Sequence, residues 1–219
     1  MAYGPKELAR DLAVSRETCE RLETHRALLE QWSKRINLVG PRELDDFWRR
    51  HALDCGQLVA VSNGSKRWLD IGSGAGFPGL VVACVLADRE GDFTVTLVES
   101  NPKKVAFLRE AIRETGAPAR VLDASIDDVA PLPVAYDVAT CRAFAPLPRI
   151  IKAAKPILDR GAMGLFLKGA EFRAELEAAA EQGWTLNVET LPSRSDPEGR
   201  ILRIEGVSRA SSSGSDSRG

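Results

Sequence analysis

Trp68-Leu69-Asp70-Ile71-Gly72-Ser73-Gly74-Ala75-Gly76-Phe77-Pro78-Gly79 is the stretch that decides the fold. A short apolar run ends in a glycine-rich loop, and the uniformly apolar segment Leu80 to Ala87 follows. Strand, loop and helix in that order bring a helix N-terminus and a closely approachable backbone to one point, which is how a nucleotide-like cofactor is received. Gly74, Gly76 and Gly79 also satisfy the dinucleotide spacing G-x-G-x-x-G, and Glu99 stands about 20 residues further on, where a ribose-binding acid belongs. Three features weigh against a dinucleotide. The strand runs to Ile71, so the loop begins at Gly72 and the fingerprint frame starts late. Pro78 lies inside that frame, and Asp70 sets a carboxylate at the strand end, suited to a cationic sulfonium and an amino acid rather than a pyrophosphate. S-adenosyl-L-methionine is the favoured cofactor, with a nicotinamide dinucleotide as the alternative.

Outward from this loop, β-prone runs alternate with helical segments: Arg67 to Ile71, Phe93 to Glu99, Arg120 to Asp123, Asp137 to Cys141 and Ala162 to Lys168. That alternation predicts a parallel sheet covered on both faces, a doubly wound α/β fold. Two further runs, Trp184 to Leu191 and Arg200 to Val207, are joined by a turn-rich link too short for a crossover helix, so they should pair antiparallel as a closing hairpin. Seven strands with such an ending match the class I methyltransferase (Rossmann-like) pattern. Upstream, Ser15 is a plausible N-cap for a long amphipathic helix through Leu22, Leu28, Leu29, Trp32 and Ile36, which Gly40-Pro41 is expected to end. A shorter helical stretch follows through Phe47, Trp48 and His51. The expected organisation is a helical cap over residues 1–62, a catalytic domain over 63–208 and a disordered Ser/Gly-rich tail over 209–219.

At 219 residues and 44% hydrophobic content, the chain can bury one sizeable core and offers little material for two. Its longest apolar run is far short of the roughly 20 residues that cross a bilayer, and no secretory signal is evident, so the expectation is a cytoplasmic protein with no membrane partner. Cys19, Cys55, Cys84 and Cys141 are scattered, with only two histidines beside them, which reads as buried thiols and no metal site. Thirty basic against 31 acidic residues argue against coating nucleic acid by bulk charge. Between Cys141 and Lys168, however, Arg142, Arg149, Lys152, Lys155, Arg160 and Lys168 face only Asp159. This strip is either a solvated helix face or a track for RNA beside an active site.

Glu99, ending the second strand, can accept both ribose hydroxyls of an adenosine. Ile126 and Asp127, after the third strand, are placed to frame the adenine, although Asp127 could equally cap a helix. The fourth strand ends in Thr140-Cys141-Arg142-Ala143-Phe144-Ala145-Pro146 and lacks the Asn/Asp/Ser-Pro-Pro-aromatic motif common in methylation of exocyclic amines. Methylation at carbon five of cytosine would need a cysteine nucleophile, and Cys141 reads better as a buried strand residue. The N7 atom of guanine carries an in-plane lone pair and no proton, so its methylation needs no general base. Arg142 could then contact the cofactor, the guanine edge or a phosphate, and Phe144 could stack on a flipped base or sit in the core.

These residues resemble a known family, the bacterial glucose-inhibited division protein B proteins, which are 16S ribosomal RNA guanine-N(7) methyltransferases. The resemblance is carried in order by Trp32 through Leu38, Arg50-His51-Ala52-Leu53-Asp54, Asp70 through Gly79, Leu97-Val98-Glu99-Ser100 with Lys103-Lys104, Arg142-Ala143-Phe144-Ala145 and Leu167-Lys168-Gly169. It implies methyl transfer from S-adenosylmethionine to one guanosine of the small-subunit RNA near the decoding region, by a protein expected to act as a monomer. By position, Gly72, Phe77, Ile126, Asp127 and Arg142 resemble cofactor-contacting residues, while Asn37, His51, Asp54 and Lys168 match motif positions without an assigned role. Taken together, Asp70, Gly72, Gly74, Gly76, Phe77, Glu99, Ile126, Asp127 and Arg142 form the candidate cofactor set, and Arg142, Phe144 and Lys168 the candidate RNA set. Val39 and Cys55 depart from the threonine and serine that the resemblance leads one to expect. The near-neutral charge leaves a protein or small metabolite open as an alternative substrate.

Overall fold

The computed structural model describes residues 3–125, 134–143 and 145–209. Ile126, Asp127, Phe144 and nearly all of the Ser/Gly-rich tail therefore lie outside the described residues.

Seven strands build one sheet: β1 (Arg67–Ile71), β2 (Thr94–Glu99), β3 (Ala119–Asp123), β4 (Val138–Arg142), β5 (Met163–Lys168), β6 (Trp184–Pro192) and β7 (Arg200–Arg209). Their order is β3-β2-β1-β4-β5-β7-β6, with β1 to β5 parallel and β7 antiparallel to both β5 and β6. The expected hairpin is present, and it folds back so that its second strand lies inside the sheet and its first forms the edge. Strand order reverses between β2-β1 and β4, the crevice in which open α/β sheets bind ligands beyond the strand ends.

Eight α-helices complete the described chain: α1 (Pro5–Leu12), α2 (Arg16–Ser33), α3 (Pro41–Asp45), α4 (Asp54–Gly56), α5 (Gly79–Leu86), α6 (Pro102–Thr115), α7 (Leu147–Leu158) and α8 (Phe172–Glu181). Between α3 and α4 the chain forms a π-helix, Phe47–Leu53, and a 3-10 helix follows over Gln57–Val61. Ser15 caps α2, its side chain accepting the Thr18 N–H at 3.1 Å. That helix stops at Ser33, well before Gly40-Pro41, and Ile36 lies beyond it. The Gly-Pro pair starts α3 instead of ending α2. Proline loses nothing at a first helical position, and the Glu43 carboxylate accepts the Gly40 N–H at 2.9 Å.

One face of the sheet is covered by α1, α2, α5, α6 and the segment between α3 and β1, where Leu8, Leu22, Leu29 and Phe47 pack with Leu80, Leu97 and Phe107. The N-terminal helices thus share a core with the sheet rather than forming a separate one. Burial between sheet and cap explains why α5 is apolar all round, since each of its eight residues is buried. On the opposite face Ile150, Ile151 and Ala154 of α7 pack with Phe166 and Leu202. No helix among the described residues is long and apolar enough to cross a membrane.

Candidate functional site

Gly72, Gly74 and Gly76 in the loop after β1 all have positive φ, at 70°, 54° and 89°. The requirement is sharpest at Gly76, where a Cβ would also lie 3.2 Å from the ring of His25. His25 comes from the buried face of α2, and its Nε2–H donates to the Ala75 carbonyl at 2.9 Å. Sequence reading missed this residue. Its signal was available, because Thr18, Leu22, His25 and Leu29 recur at the spacing of one helix face. From the other side Glu99 secures the loop, its Oε2 accepting the Gly74 N–H at 2.9 Å while Oε1 accepts those of Ser100 and Asn101.

The loop forms one wall of a cavity of about 440 Å³, with Gly72, Gly74, Phe77, Glu99, His51 and Arg142 on its lining. Val39, one of the departures noted above, is also on its lining. Asp70 is not. It is fully buried beneath the loop, where Oδ2 accepts the N–H of Gly79 at 3.0 Å at the start of α5. A carboxylate read from the sequence as facing the cofactor instead serves the helix N-terminus, whose partial positive charge favours it.

Phe77 sits within an aromatic cluster. The His51 ring stacks on it at 4.3 Å with 11° between planes, and His25 lies 5.3 Å away on a tilt. The Arg142 guanidinium is 5.7 Å from the same ring. Arg142 Nη1 donates to His51 Nδ1 at 2.7 Å and reaches Cys55 Sγ at 3.8 Å, and Nε lies 3.6 Å from Asp54 Oδ2. Asp54 Oδ1 accepts from the hydroxyls of Ser193 and Ser195, at 3.0 and 2.5 Å, and from the Gln57 amide. The link between β6 and β7, read from sequence only as a turn, is therefore tied to the N-terminal helices beside Arg142.

Arg142 and Ala143 also line a second, larger cavity of about 1040 Å³ with Arg49, Arg50, Asp54, Lys168, Glu175 and Pro197. Lys168 is nearly buried there, donating to Glu175 Oε2 at 2.6 Å and to the Ala145 carbonyl at 3.0 Å. Its ammonium braces β5 against α8 and the chain after β4 rather than reaching outward. Within the basic strip, Lys155 is likewise paired with Asp159, and Lys152 is exposed. Cys141 is fully buried and burial pushes its thiol pKa up, the opposite of what a nucleophile needs. No cluster of three metal-ligating side chains occurs among the described residues.

Burial sets the protonation of the site. It lowers His25 to a pKa of about 4 and, with Arg142 adding to the effect, lowers His51 to about 3. Burial raises Asp70 to about 7. As pH falls below about 6.5, the unfolded chain protonates both histidines before the folded chain does, so stability is lost downward through pH 4. For His25 alone the difference is roughly 3 kcal/mol. Asp70 acts oppositely, stabilising at low pH and losing that contribution as pH rises through 7. Denaturant unfolding at several pH values should show stability declining from pH 6.5 to 4, and Asp70→Asn should steepen the decline. An unchanged slope in that variant would contradict a raised Asp70 pKa.

The sheet order and the glycine-loop cavity define the class I, S-adenosylmethionine-dependent methyltransferase fold. It is shared with solved structures: cofactor-bound Rv0187 from MTB has a TM-score of 0.58 at 14% identity, covering 85% of this chain and 89% of that one. A mutant of MtNAS in complex with S-adenosylmethionine has a TM-score of 0.55 at 18% identity, covering 84% and 71%. The sequence profile of GidB, rRNA small subunit methyltransferase G, matches residues 18–198, and the chain belongs to that family. Among curated relatives, "Ribosomal RNA small subunit methyltransferase G" of Rhodospirillum rubrum is 50% identical over 94% of this chain and 99% of its own length. The protein of the same name from Parvibaculum lavamentivorans is 48% identical over 89% and 85%.

Proposed function

We propose that the chain transfers a methyl group from S-adenosylmethionine to N7 of a guanosine in the 16S RNA of the small ribosomal subunit. The structural observation that carries this reading is Arg142, which with Ala143 lines both the glycine-loop cavity and the larger cavity. Membership of the ribosomal RNA methyltransferase family favours RNA over a protein or metabolite substrate.

The residues present fit the cofactor. The smaller cavity has the volume of a small-molecule site, a glycine backbone on one wall and the Glu99 carboxylate on another. Glu99 uses three of its roughly four acceptor positions on backbone N–H groups and keeps capacity for a ribose hydroxyl. Gly72, Gly74 and Phe77 would hold the ligand from the loop side, whereas Gly76, packed against Leu80 and His25, is off the cavity lining and shapes the loop from beneath; Ile126 and Asp127, outside the described residues, are proposed to frame the adenine. When bound, S-adenosylmethionine supplies an activated methyl group on a cationic sulfur.

Guanine N7 needs no proton removed, so the protein's work is placement. The larger cavity would admit the base, Arg142 would donate to its O6 edge, and Phe144, also outside the described residues, is proposed to stack on it. Lys168 shapes the wall through Glu175. Exposed Arg50 and Lys152 are suited to RNA phosphates, so binding should weaken steeply with added salt.

The test is mass-spectrometric mapping of small-subunit RNA taken from cells lacking the protein, after incubation with purified protein and labelled S-adenosylmethionine. One new 7-methylguanosine is expected. Cofactor binding with no RNA labelled, on naked RNA or whole subunits, would overturn the reading in favour of a protein or metabolite substrate.

A further inference from the structure

His51 is in contact with both halves of the site. Its ring is buried, lines the smaller cavity and lies flat on Phe77 of the glycine loop, and its Nδ1 accepts from Arg142, which borders both cavities. Arginine is a long side chain with about 2 kcal/mol of rotamer entropy, so a fixed guanidinium needs acceptors on more than one edge. Here Nη1 is held by His51 and Nε faces Asp54, while Nη2 makes no hydrogen bond among the described residues.

The two partners differ in charge for a physical reason. Methylation at N7 leaves the guanine cationic, and an uncompensated arginine beside it would oppose that charge. Asp54 offsets the arginine. A neutral imidazole then supplies the second acceptor without adding another charge, and burial keeps Nδ1 unprotonated at physiological pH. Because Nδ1 accepts, Nε2 carries the proton.

We propose that His51 is a positioning residue for methyl transfer: its Nδ1, in a ring clamped against Phe77, holds the Arg142 guanidinium across the junction of the two cavities so that Nη2 faces the incoming base. This rests on the reading that the base occupies the larger cavity.

Two substitutions separate positioning from packing. His51→Phe keeps a ring on Phe77 and removes the acceptor, whereas His51→Asn loses the ring and retains an acceptor near Nδ1. In single-turnover assays on small-subunit RNA, His51→Phe is expected to slow transfer about 10- to 100-fold with cofactor affinity within about threefold, and His51→Asn to recover most of that loss. In an Arg142→Ala background, His51→Phe should change the rate less than about twofold, because the group it positions is gone. Equal losses in the two variants, or a full loss in the Arg142→Ala background, would overturn the proposal.

A spectroscopic readout needs no His51 variant to fold. The chain has two histidines, so nitrogen-15 histidine spectra contain two ring systems. Arg142→Ala should move the His51 Nδ1 resonance and leave that of His25 in place; an unmoved His51 resonance would also overturn the proposal. If the unsubstituted protein methylates no RNA, the functional reading fails and the positioning role with it, while the nitrogen shift still reports whether the Arg142 contact exists.

Discussion

Replacing Arg142 with alanine is expected to lower single-turnover methyl transfer by about 100- to 1000-fold, the scale seen when one preorganised donor is removed from a reacting centre. The side chain lines both cavities, so the variant loses whatever donors it offers the base. It also leaves His51 Nδ1 without its partner, although Asp54 keeps the hydroxyls of Ser193 and Ser195. Arg142→Lys should retain the charge but not the planar fork, and fall between wild type and alanine. Cofactor affinity measured by calorimetry should change less than the rate. If both affinity and rate were unaffected, Arg142 would have no place in the transfer geometry.

Gly79→Ala should be the most damaging single-methyl change in the glycine loop. The added Cβ would lie 2.6 Å from Asp70 Oδ2 and 2.7 Å from Asp70 Cβ, and Asp70 is fully buried with nowhere to shift. The expected cost is about 1–3 kcal/mol from overpacking. Loss of cofactor binding should accompany it, because the Gly79 N–H to Asp70 bond pins the loop to the strand. Gly116→Ala is the matched control. There φ is +61° but a Cβ meets open space, so only the left-handed backbone penalty of roughly 1 kcal/mol applies and cofactor binding should persist. Denaturant midpoints and calorimetry on both variants decide the matter. Wild-type cofactor affinity in Gly79→Ala would show that the loop does not depend on this anchor.

The inner parallel strands β1, β2, β4 and β5 were legible because strands buried on both faces read as predominantly apolar runs, and the ends of all seven strands fall within two residues of those read from the sequence. Local spacing carried the Ser15 cap and the glycine loop equally well. What the sequence could not carry were contacts between distant positions. Arg142 and His51 are 91 residues apart, and nothing local marks one as the other's acceptor. Lys168 reads as one charge in a basic strip until Glu175 on the next helix is seen to face it. Asp70 lies at the strand end whichever way it faces, and only the docking of α5 decides that it serves Gly79. Gly40-Pro41 was ambiguous for a local reason, since the pair can stop one helix or open the next.

The tie between the β6–β7 link and the N-terminal helices bears on how the chain is made. Gln57 accepts the Arg194 N–H at 2.8 Å, Arg49 donates to the Ser195 carbonyl at 3.0 Å, and Arg194 reaches the Asp11 carbonyl across 183 residues of sequence. Partners so far apart are the last to meet when a chain emerges from its N-terminus, and closing such loops carries an entropic cost before any contact forms. Asp54, which holds Arg142, takes its two serine hydroxyls from this late segment. A nascent chain halted before residue 190 would already contain the glycine loop and Arg142, yet it would lack the two serines that hold Asp54 beside Arg142, so that arrangement forms only after the β6–β7 link has emerged.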